Sequence, residues 1–188
     1  MKNLIIAASL LIGVSAFSQV KLDATKLNYL AADASPMDAT YYPLQVLSSK
    51  SEKPKIKVLY SRPQKKDRVV FGNLIKYGEV WRMGANENTE IKFYTPVKIG
   101  GKDIAAGTYS LFAIPGEKEW TIILNSETDK WGAYAYDKSK DVVRLTVPAE
   151  KTASVVEHFS ITFVQTKTGA DFYAGWDNTQ VKFPIEFK

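Results

Sequence analysis

Polar side chains that could bind an anion gather where predicted loops meet predicted strands. The guanidinium of Arg82 could hold a carboxylate, phosphate or sulfate through two parallel hydrogen bonds, with Asn86 and Glu87 orienting the bound group. The alternative is structural: Arg82 would pair with Glu87 and Asn86 would close a turn, which would tie a long loop to the sheet. The residues that we assign to a ligand-binding site at these junctions are Arg62, Tyr77, Trp81, Arg82, Asn86 and Glu87.

A second candidate site is the aromatic segment that contains Trp131, Tyr134 and Tyr136. Flat aromatic rings beside Asp and Lys suit the apolar face of a sugar, whose hydroxyls would bond the polar neighbours. The spacing of Tyr134 and Tyr136 places both rings on one side of an extended segment. The alternative is that these rings fold back over the end of the domain, because aromatic side chains bury large areas. We predict that all three residues bind ligand.

Other kinds of chemistry have little support. The chain has no cysteine and one histidine, His158, which excludes thiolate sites and makes a zinc site a poor prospect. A Ser-His-Asp triad would need His158, and there is no Gly-x-Ser-x-Gly motif. We predict no metal and no cofactor. Paired carboxylates for glycoside hydrolysis could come from Glu79, Glu87, Asp137 or Asp177, so an enzyme remains the alternative to a binding protein.

The elements that must position these residues are predicted to be strands. Apolar side chains at Ile56, Val58 and Tyr60 and again at Phe159 and Ile161 alternate with neighbours that face the other way, as in half-buried strands. Glycine and proline turns separate strands of similar length, and no stretch has a helical period. We predict an all-β fold: an antiparallel β-sandwich or open barrel of roughly nine strands with long loops at one end.

Three smaller predictions concern single residues of the strands. Trp176 belongs to the core, and His158 faces solvent. Pro184 lacks a backbone N–H, so the last strand is predicted to be an edge strand. The long irregular connections are residues 61–79 and 126–140, and long loops on a rigid sheet are where binding sites are usually built.

The first residues indicate export. Lys2 precedes an apolar run from Leu4 to Val14, and small residues, Ala16 and Ser18, follow it. This layout is typical of a cleaved secretory signal peptide, and the apolar run is shorter than the roughly 20 residues that span a bilayer. The alternatives are a buried strand or an anchor helix. Without a cysteine after the signal the protein is not a lipoprotein, so we predict a periplasmic or extracellular location.

The rest of the chain is predicted to form one domain. We divide it into a signal peptide at residues 1–18, a lead-in segment at residues 19–40 and a single β-sandwich domain at residues 41–188. The formal net charge is +5, with acids interspersed among the bases. This pattern lacks the basic stripe of a nucleic-acid-binding protein, so we predict no nucleic-acid partner and a mild preference for anionic surfaces.

Several motifs in register carry a resemblance to a known family. They are Tyr60-Ser61-Arg62-Pro63, Phe71-Gly72-Asn73-Leu74, Tyr77-Gly78-Glu79-Val80-Trp81-Arg82, Gly84-Ala85-Asn86-Glu87, Ala106-Gly107-Thr108-Tyr109-Ser110-Leu111 and Trp131-Gly132-Ala133-Tyr134. From about residue 35 to the C-terminus the chain resembles the bacterial family known as domain of unknown function 2911. The resemblance implies an exported, mostly β protein and no particular activity. One departure is Met83, where the resemblance leads us to expect Thr or another small polar residue.

These observations favour an exported envelope protein that binds a small polar or glycan-like ligand, or a protein partner of the envelope, without catalysis. One alternative is a carboxylate-based hydrolase or lyase that acts on saccharides. Another is a structural or assembly protein that meets its partner through strand edges or aromatic residues. After signal cleavage, no segment is predicted to span a membrane.

Overall fold

The computed structural model describes residues 29–49 and 52–188. The predicted signal peptide and residues 19–28 of the predicted lead-in segment lie outside these ranges. Ala32–Lys188 forms one compact unit. Within the described ranges the regular structure is nine strands and two short 3-10 helices. No helix in this part of the chain has the length and apolarity needed to cross a membrane.

The strands form one antiparallel sheet in the order β1-β2-β3-β6-β7-β8-β9-β4-β5. Every strand pairing is antiparallel, which confirms the predicted all-β fold of nine antiparallel strands. The strands are β1 (Met37–Tyr42), β2 (Ile56–Ser61), β3 (Thr89–Phe93), β4 (Val97–Ile99), β5 (Lys102–Ile104), β6 (Gly107–Ile114), β7 (Glu119–Asn125), β8 (Asp141–Gln165) and β9 (Gly169–Phe187). The 3-10 helices are Leu44–Leu47 and Lys138–Lys140.

Strand β8 connects the two halves of the sheet. Residues up to Pro148 pair with β7, and residues from Ala149 onward pair with β9. The register with β9 shifts between Lys151 and Val156 and again between Val156 and Ser160. Such irregularities bend a strand and increase its twist, so the long strand can pass from one half to the other. The fold is therefore sandwich-like although its hydrogen bonding is continuous.

The core lies between these halves and is rich in aromatic rings. Phe71, Trp81, Trp120, Phe159 and Trp176 form a connected cluster in which neighbouring ring centroids lie between 4.7 and 6.3 Å apart. Rings at these spacings stabilise a core beyond the area that they bury. The prediction that Trp176 is a core residue is confirmed, since its side chain is almost fully buried.

The prediction that the last strand is an edge strand is wrong. Strand β9 pairs with β8 on one side and with β4 on the other. Pro184 nevertheless avoids both ladders, because the pairing with β8 ends at Val181 and the pairing with β4 involves Glu186 and Phe187. The missing N–H of proline is tolerated in the gap between two pairings rather than at an edge.

Candidate functional site

Two long connections, one from β2 to β3 (residues 62–88) and one from β7 to β8 (residues 126–140), meet at one place. The backbone N–H of Asn88 donates to the carbonyl of Lys130 over 3.0 Å, and the N–H of Lys130 donates to Asn88 Oδ1 over 2.8 Å. Glu87 and Trp131 form an isolated β-bridge beside these bonds. The two predicted site segments are therefore neighbours, and we call residues 82–88 together with 126–134 the joined loops.

Asn88 anchors the joined loops and was not predicted as a site residue. Its side chain is buried, and Nδ2 donates to the hydroxyl of Ser110 over 2.5 Å. That hydroxyl donates in turn to the carbonyl of Glu127. A buried amide with all these bonds satisfied stabilises one loop arrangement. The only sequence signal was an Asn directly before a strand, which is common in turns and therefore weak.

Arg82 is the first residue of the joined loops, and its side chain has no partner among the residues that the structure describes. Its Nε is buried and makes no hydrogen bond, and the guanidinium forms no ion pair with any residue that the structure describes. The alternative pairing with Glu87 does not form, and Glu87 is exposed. Nη1 of Arg82 and a ring carbon of Tyr134 each lie 3.0 Å from the position that a Cβ would occupy on Gly132. The cation is thus partly desolvated, which is costly for a charged group that lacks a counter-charge.

The backbone of the joined loops is strained at three non-glycine residues. Met83, Asn86 and Asp129 have φ values of +51°, +57° and +57°. Asn and Asp tolerate this left-handed conformation better than other residues do, whereas Met gains nothing from it. Each such residue costs on the order of 1–3 kcal/mol, and strain of this kind tends to occur at functional sites. The surrounding structure must therefore hold the loop in place.

Hydrogen bonds from Trp81 and Thr89, the residues before and after this loop, hold its backbone in place. The indole Nε1 of Trp81 donates to the carbonyl of Gly84 over 3.1 Å, and the hydroxyl of Thr89 donates to the carbonyl of Met83 over 2.6 Å. The Met83 side chain is fully buried in the core. Where the family resemblance led us to expect a small polar group, this chain therefore has an apolar side chain that packs inside.

Trp81 is a core residue in the structure, not a surface residue available to a ligand. Its ring is buried in the aromatic cluster, and its backbone exchanges two hydrogen bonds with Ala113, of 2.7 and 2.9 Å. The alternation that flanks Trp81 in the sequence is too short to have revealed the single β-bridge that turns the ring inward.

Arg62 is occupied by structural contacts. Its Nη1 donates to Asp38 Oδ2 and its Nη2 to the hydroxyl of Ser160, each over 2.9 Å. Its Nε donates to the carbonyl of Phe159 over 3.2 Å. The guanidinium therefore connects the end of β2 to β1 and β8.

Tyr136 is also tied into the fold. Its hydroxyl donates to Asp141 Oδ2 over 2.6 Å and accepts a hydrogen bond from Arg144 Nη1 over 2.9 Å. Asn125 completes the group by donating to Asp141 Oδ1 over 2.9 Å. Burial first, and then the bond to the negative Asp141, raise the pKa of Tyr136 to about 12, while Arg144 opposes the shift. The phenol stays neutral and fastens the end of the second loop to β8.

Three predicted residues keep exposed aromatic rings. Trp131 and Tyr134, at 61% and 86% exposure, flank Gly132 on the joined loops. Tyr77 is less exposed, and its ring lies 2.8 Å from the position that a Cβ would occupy on Gly72, so it covers that backbone instead. The exposed rings of the joined loops are therefore those of Trp131 and Tyr134.

The joined loops present an open surface and not an enclosed pocket. A cleft bordered by Gly132 and Tyr136 is too narrow to admit a water molecule. A recess of about 200 Å³, which we call the acidic recess, is bordered by Met37, Leu59, Glu87, Asn88, Glu90 and Asp129. Among the described residues, no group of three or more His, Cys, Asp or Glu side chains is arranged to hold a metal ion.

The carboxylates that we considered for hydrolysis lie in different surroundings. Asp137 caps the second 3-10 helix, where hydrogen bonds from the backbone N–H and the hydroxyl of Ser139 lower its pKa. Asp177 is largely buried beside Lys65, with Nζ and Oδ1 3.9 Å apart. Glu87 borders the acidic recess together with Glu90, whose Oε1 already accepts a hydrogen bond from the Asp129 N–H over 2.8 Å.

Comparison with known proteins gives a family and nothing more specific. A family model described as "Protein of unknown function (DUF2911)" matches residues 42–185, which confirms the resemblance carried by the motifs. No curated protein and no solved structure matches the chain.

Proposed function

The chain belongs to the DUF2911 family of proteins of unknown function, and we propose that this member is an exported protein that binds a small acidic saccharide on its joined loops. The observation that carries the proposal is the guanidinium of Arg82, which is partly buried, has no partner among the described residues and lies against Gly132, next to two exposed aromatic residues, Trp131 and Tyr134. The binding is non-catalytic.

An anion would supply what Arg82 lacks. Its Nε has no hydrogen-bond partner, and a guanidinium shares its charge over all three nitrogens. An anion that contacts the Nη atoms at the edge of Gly132 would therefore compensate the whole group. A carboxylate, sulfate or phosphate fits the two-pronged geometry of arginine, and such bonds are shorter and stronger than neutral ones.

The neighbours of Arg82 favour a sugar as the carrier of that anion. Trp131 and Tyr134 offer flat apolar faces that suit the C–H face of a sugar ring. Asn86 makes no side-chain hydrogen bond to any described residue, and Glu87 is exposed, so both remain available for hydroxyls. An open surface with rings and hydrogen-bonding groups suits a saccharide better than an apolar metabolite, which would need an enclosed pocket.

Export is part of the same proposal. The charged start, the short apolar run and the small residues at Ala16 and Ser18 form the layout of a secretory signal. Acidic saccharides of the cell envelope or its surroundings would then be the accessible ligands.

The test is calorimetric titration of the purified protein with trigalacturonate and with its methyl-esterified, uncharged counterpart. We expect binding of the acid and at least about tenfold weaker binding of the ester, because the ester cannot neutralise Arg82. Arg82→Met and Tyr134→Ala should each weaken binding of the acid. Tyr29→Ala is the matched control, since Tyr29 is a tyrosine of the same exposure that belongs neither to the joined loops nor to any other surface proposed to bind a ligand. Equal binding of both sugars, or full binding by Arg82→Met, would overturn the proposal.

A saccharide hydrolase is the second candidate, and the acidic recess is what favours it. Glu87 and Glu90 border the same space of about 200 Å³, as a pair of hydrolytic carboxylates would. The check is release of reducing ends from acidic and neutral polysaccharides, with Glu87→Gln and Glu90→Gln as the variants. Activity that both variants abolish would support it, and no release by the parent protein would rule it out for those substrates.

A further inference from the structure

A row of like charges crosses the outer face of the sheet, away from the joined loops. Lys57 on β2 stands directly opposite Lys92 on β3, with Tyr41 on β1 and Thr108 on β6 at the two ends of the row. The lysines face outward because the strand neighbours of each are buried. Two cations directly opposite each other in a sheet are destabilising, so the arrangement requires an explanation.

The next row adds a third cation and a second ring. Lys55 and Tyr94 are neighbours across the strands, since the N–H of Tyr94 donates to the carbonyl of Lys55 over 3.0 Å. Lys92 Nζ lies 4.8 Å from the centre of the Tyr94 ring, and Lys57 Nζ lies 5.9 Å from the centre of the Tyr41 ring. The ammonium groups are thus held at ring faces. We call Tyr41, Lys55, Lys57, Lys92 and Tyr94 the basic face.

No carboxylate neutralises the basic face. Within the part of the chain that the structure describes, Lys55, Lys57 and Lys92 form no ion pair. The carboxylate next along the face is Glu90, and its Oε1 is already engaged by the backbone of Asp129. The cations of Lys57 and Lys92 are therefore available to an external anion, whereas Lys55 Nζ lies over the Phe187 ring of β9, 4.7 Å from its centre.

The shape of the face indicates an extended ligand. A small recess of about 80 Å³ lies among Lys57, Leu59, Glu90, Lys92 and Thr108. An open groove of about 720 Å³ lies at the Lys55 and Tyr94 end and is bordered also by Glu52, Lys53, Pro54 and Thr95. Neither space encloses a small molecule, but together they follow β2 and β3 lengthwise. A linear chain with regularly spaced anions could lie along them.

We propose that the basic face is a second binding surface, for an extended anionic polysaccharide. Ammonium groups are point charges that accept carboxylates at variable angles, as a flexible polymer requires. The rings of Tyr41 and Tyr94 lie beside the ammonium groups of Lys57 and Lys92 and provide apolar faces for sugar units, as Trp131 and Tyr134 would on the joined loops. This surface does not depend on Arg82, so it is independent of the proposed function.

The experiment measures binding of the purified protein to polygalacturonate by affinity electrophoresis and calorimetry. Lys57→Gln/Lys92→Gln should lose at least about tenfold in affinity, as expected for two lost ionic contacts, and binding by the parent protein should weaken with added salt. Lys151→Gln/Lys167→Gln is the matched control: it removes the same charge from exposed positions and should change the affinity little. Trigalacturonate binding at the joined loops should remain in both double variants.

Three outcomes would overturn the inference. The first is equal weakening by both double variants, which would show a net-charge effect only. The second is equally tight binding, through the same lysines, of an oligodeoxythymidylate or of anionic phospholipid vesicles, because then the face would not select a saccharide. The third is no binding of polygalacturonate at low salt. Misfolding is checked by the melting temperature, which should not fall in Lys57→Gln/Lys92→Gln because a like-charge pair has been removed.

Discussion

Arg62 and Arg82 occupy similar loop–strand junctions, yet their surroundings are opposite. Arg62 donates to a carboxylate, a hydroxyl and a carbonyl, and thereby connects three strands. Arg82 has a buried Nε without a partner among the described residues and directly precedes Met83, the first strained residue of its loop. The same contrast separates Trp81, which is buried in the aromatic cluster, from Trp131, which is exposed. The contacts of Arg62 and Trp81 stabilise the fold, whereas the joined loops retain features that lower its stability, as binding sites often do.

The largest expected effect on stability concerns Trp81, the buried tryptophan of this comparison. Trp81→Ala should lower the free energy of unfolding by about 3–5 kcal/mol, because it leaves a cavity in the aromatic cluster and removes the indole bond to Gly84. Trp131→Ala should change it by less than about 0.5 kcal/mol, since the ring is exposed. Urea unfolding of both variants measures the difference. Similar losses for the two would show that Trp131 also packs into the fold.

The second-largest expected loss of stability comes from removing the hydrogen bonds of Arg62. Arg62→Met removes the bonds to Asp38, Ser160 and the carbonyl of Phe159 while retaining much of the aliphatic stem. Because the group is one-third exposed, we expect a loss of about 2 kcal/mol and a fall in melting temperature of roughly 4–8 °C. Thermal unfolding followed by circular dichroism measures it. An unchanged melting temperature would mean that the three hydrogen bonds of Arg62 contribute nothing to stability.

Removal of the Tyr136 hydroxyl should cause a smaller loss in the free energy of unfolding, and this loss should depend on pH. Tyr136→Phe removes the hydroxyl between Asp141 and Arg144 and should cost about 1 kcal/mol at neutral pH. The pKa of Tyr136 is raised from 10.0 to about 12 in the folded protein, so its contribution is fully present below pH 10 and is lost as the pH rises towards 12. Unfolding measured across this range should converge for parent and variant. Parallel curves would contradict the assignment.

The smallest expected effect belongs to Arg82. Arg82→Met should leave the free energy of unfolding unchanged within about 0.5 kcal/mol or raise it, because the arginine makes no bond that the substitution would break. Asn86→Gly should be neutral or stabilising, since glycine adopts a φ of +57° without strain. Differential scanning calorimetry on both variants gives the answer. A fall of several degrees in the melting temperature of Arg82→Met would show that Arg82 stabilises the fold, as Arg62 does.

Sequence patterns predicted the strands well because burial in a sheet has a period of two residues. The alternation at Ile56 and Val58 and at Phe159 and Ile161 matches their burial in the structure. The prediction that the last strand lies at an edge was wrong. Pro184 indicates only that its position needs no backbone N–H donor. A gap between two strand pairings meets that condition as well as an edge does.

The site residues were harder to predict, because loop side chains obey no period. Trp81, Arg62 and Tyr136 are residue types that often bind ligands. In the structure Trp81 and Arg62 are held by residues distant in sequence, Ala113 and Ser160, whereas Tyr136 bonds Asp141, five residues further along the chain. Asn88, a residue type common in turns, instead holds the two loops together. The long-range contacts of Trp81, Arg62 and Asn88 have no local signal in the sequence.

The sequence by itself determined the strand pattern, the turns, the family and the residue types from which a site could be built, because each of these depends on neighbours along the chain. Only the tertiary structure decided that Arg62 is tied and Arg82 is unpaired, that Glu87 meets Trp131, and that Lys57 stands opposite Lys92. The physical reason is that partners and counter-charges come from segments brought together by strand register and loop closure, and the free energy of a polar side chain depends on whether such a partner is there.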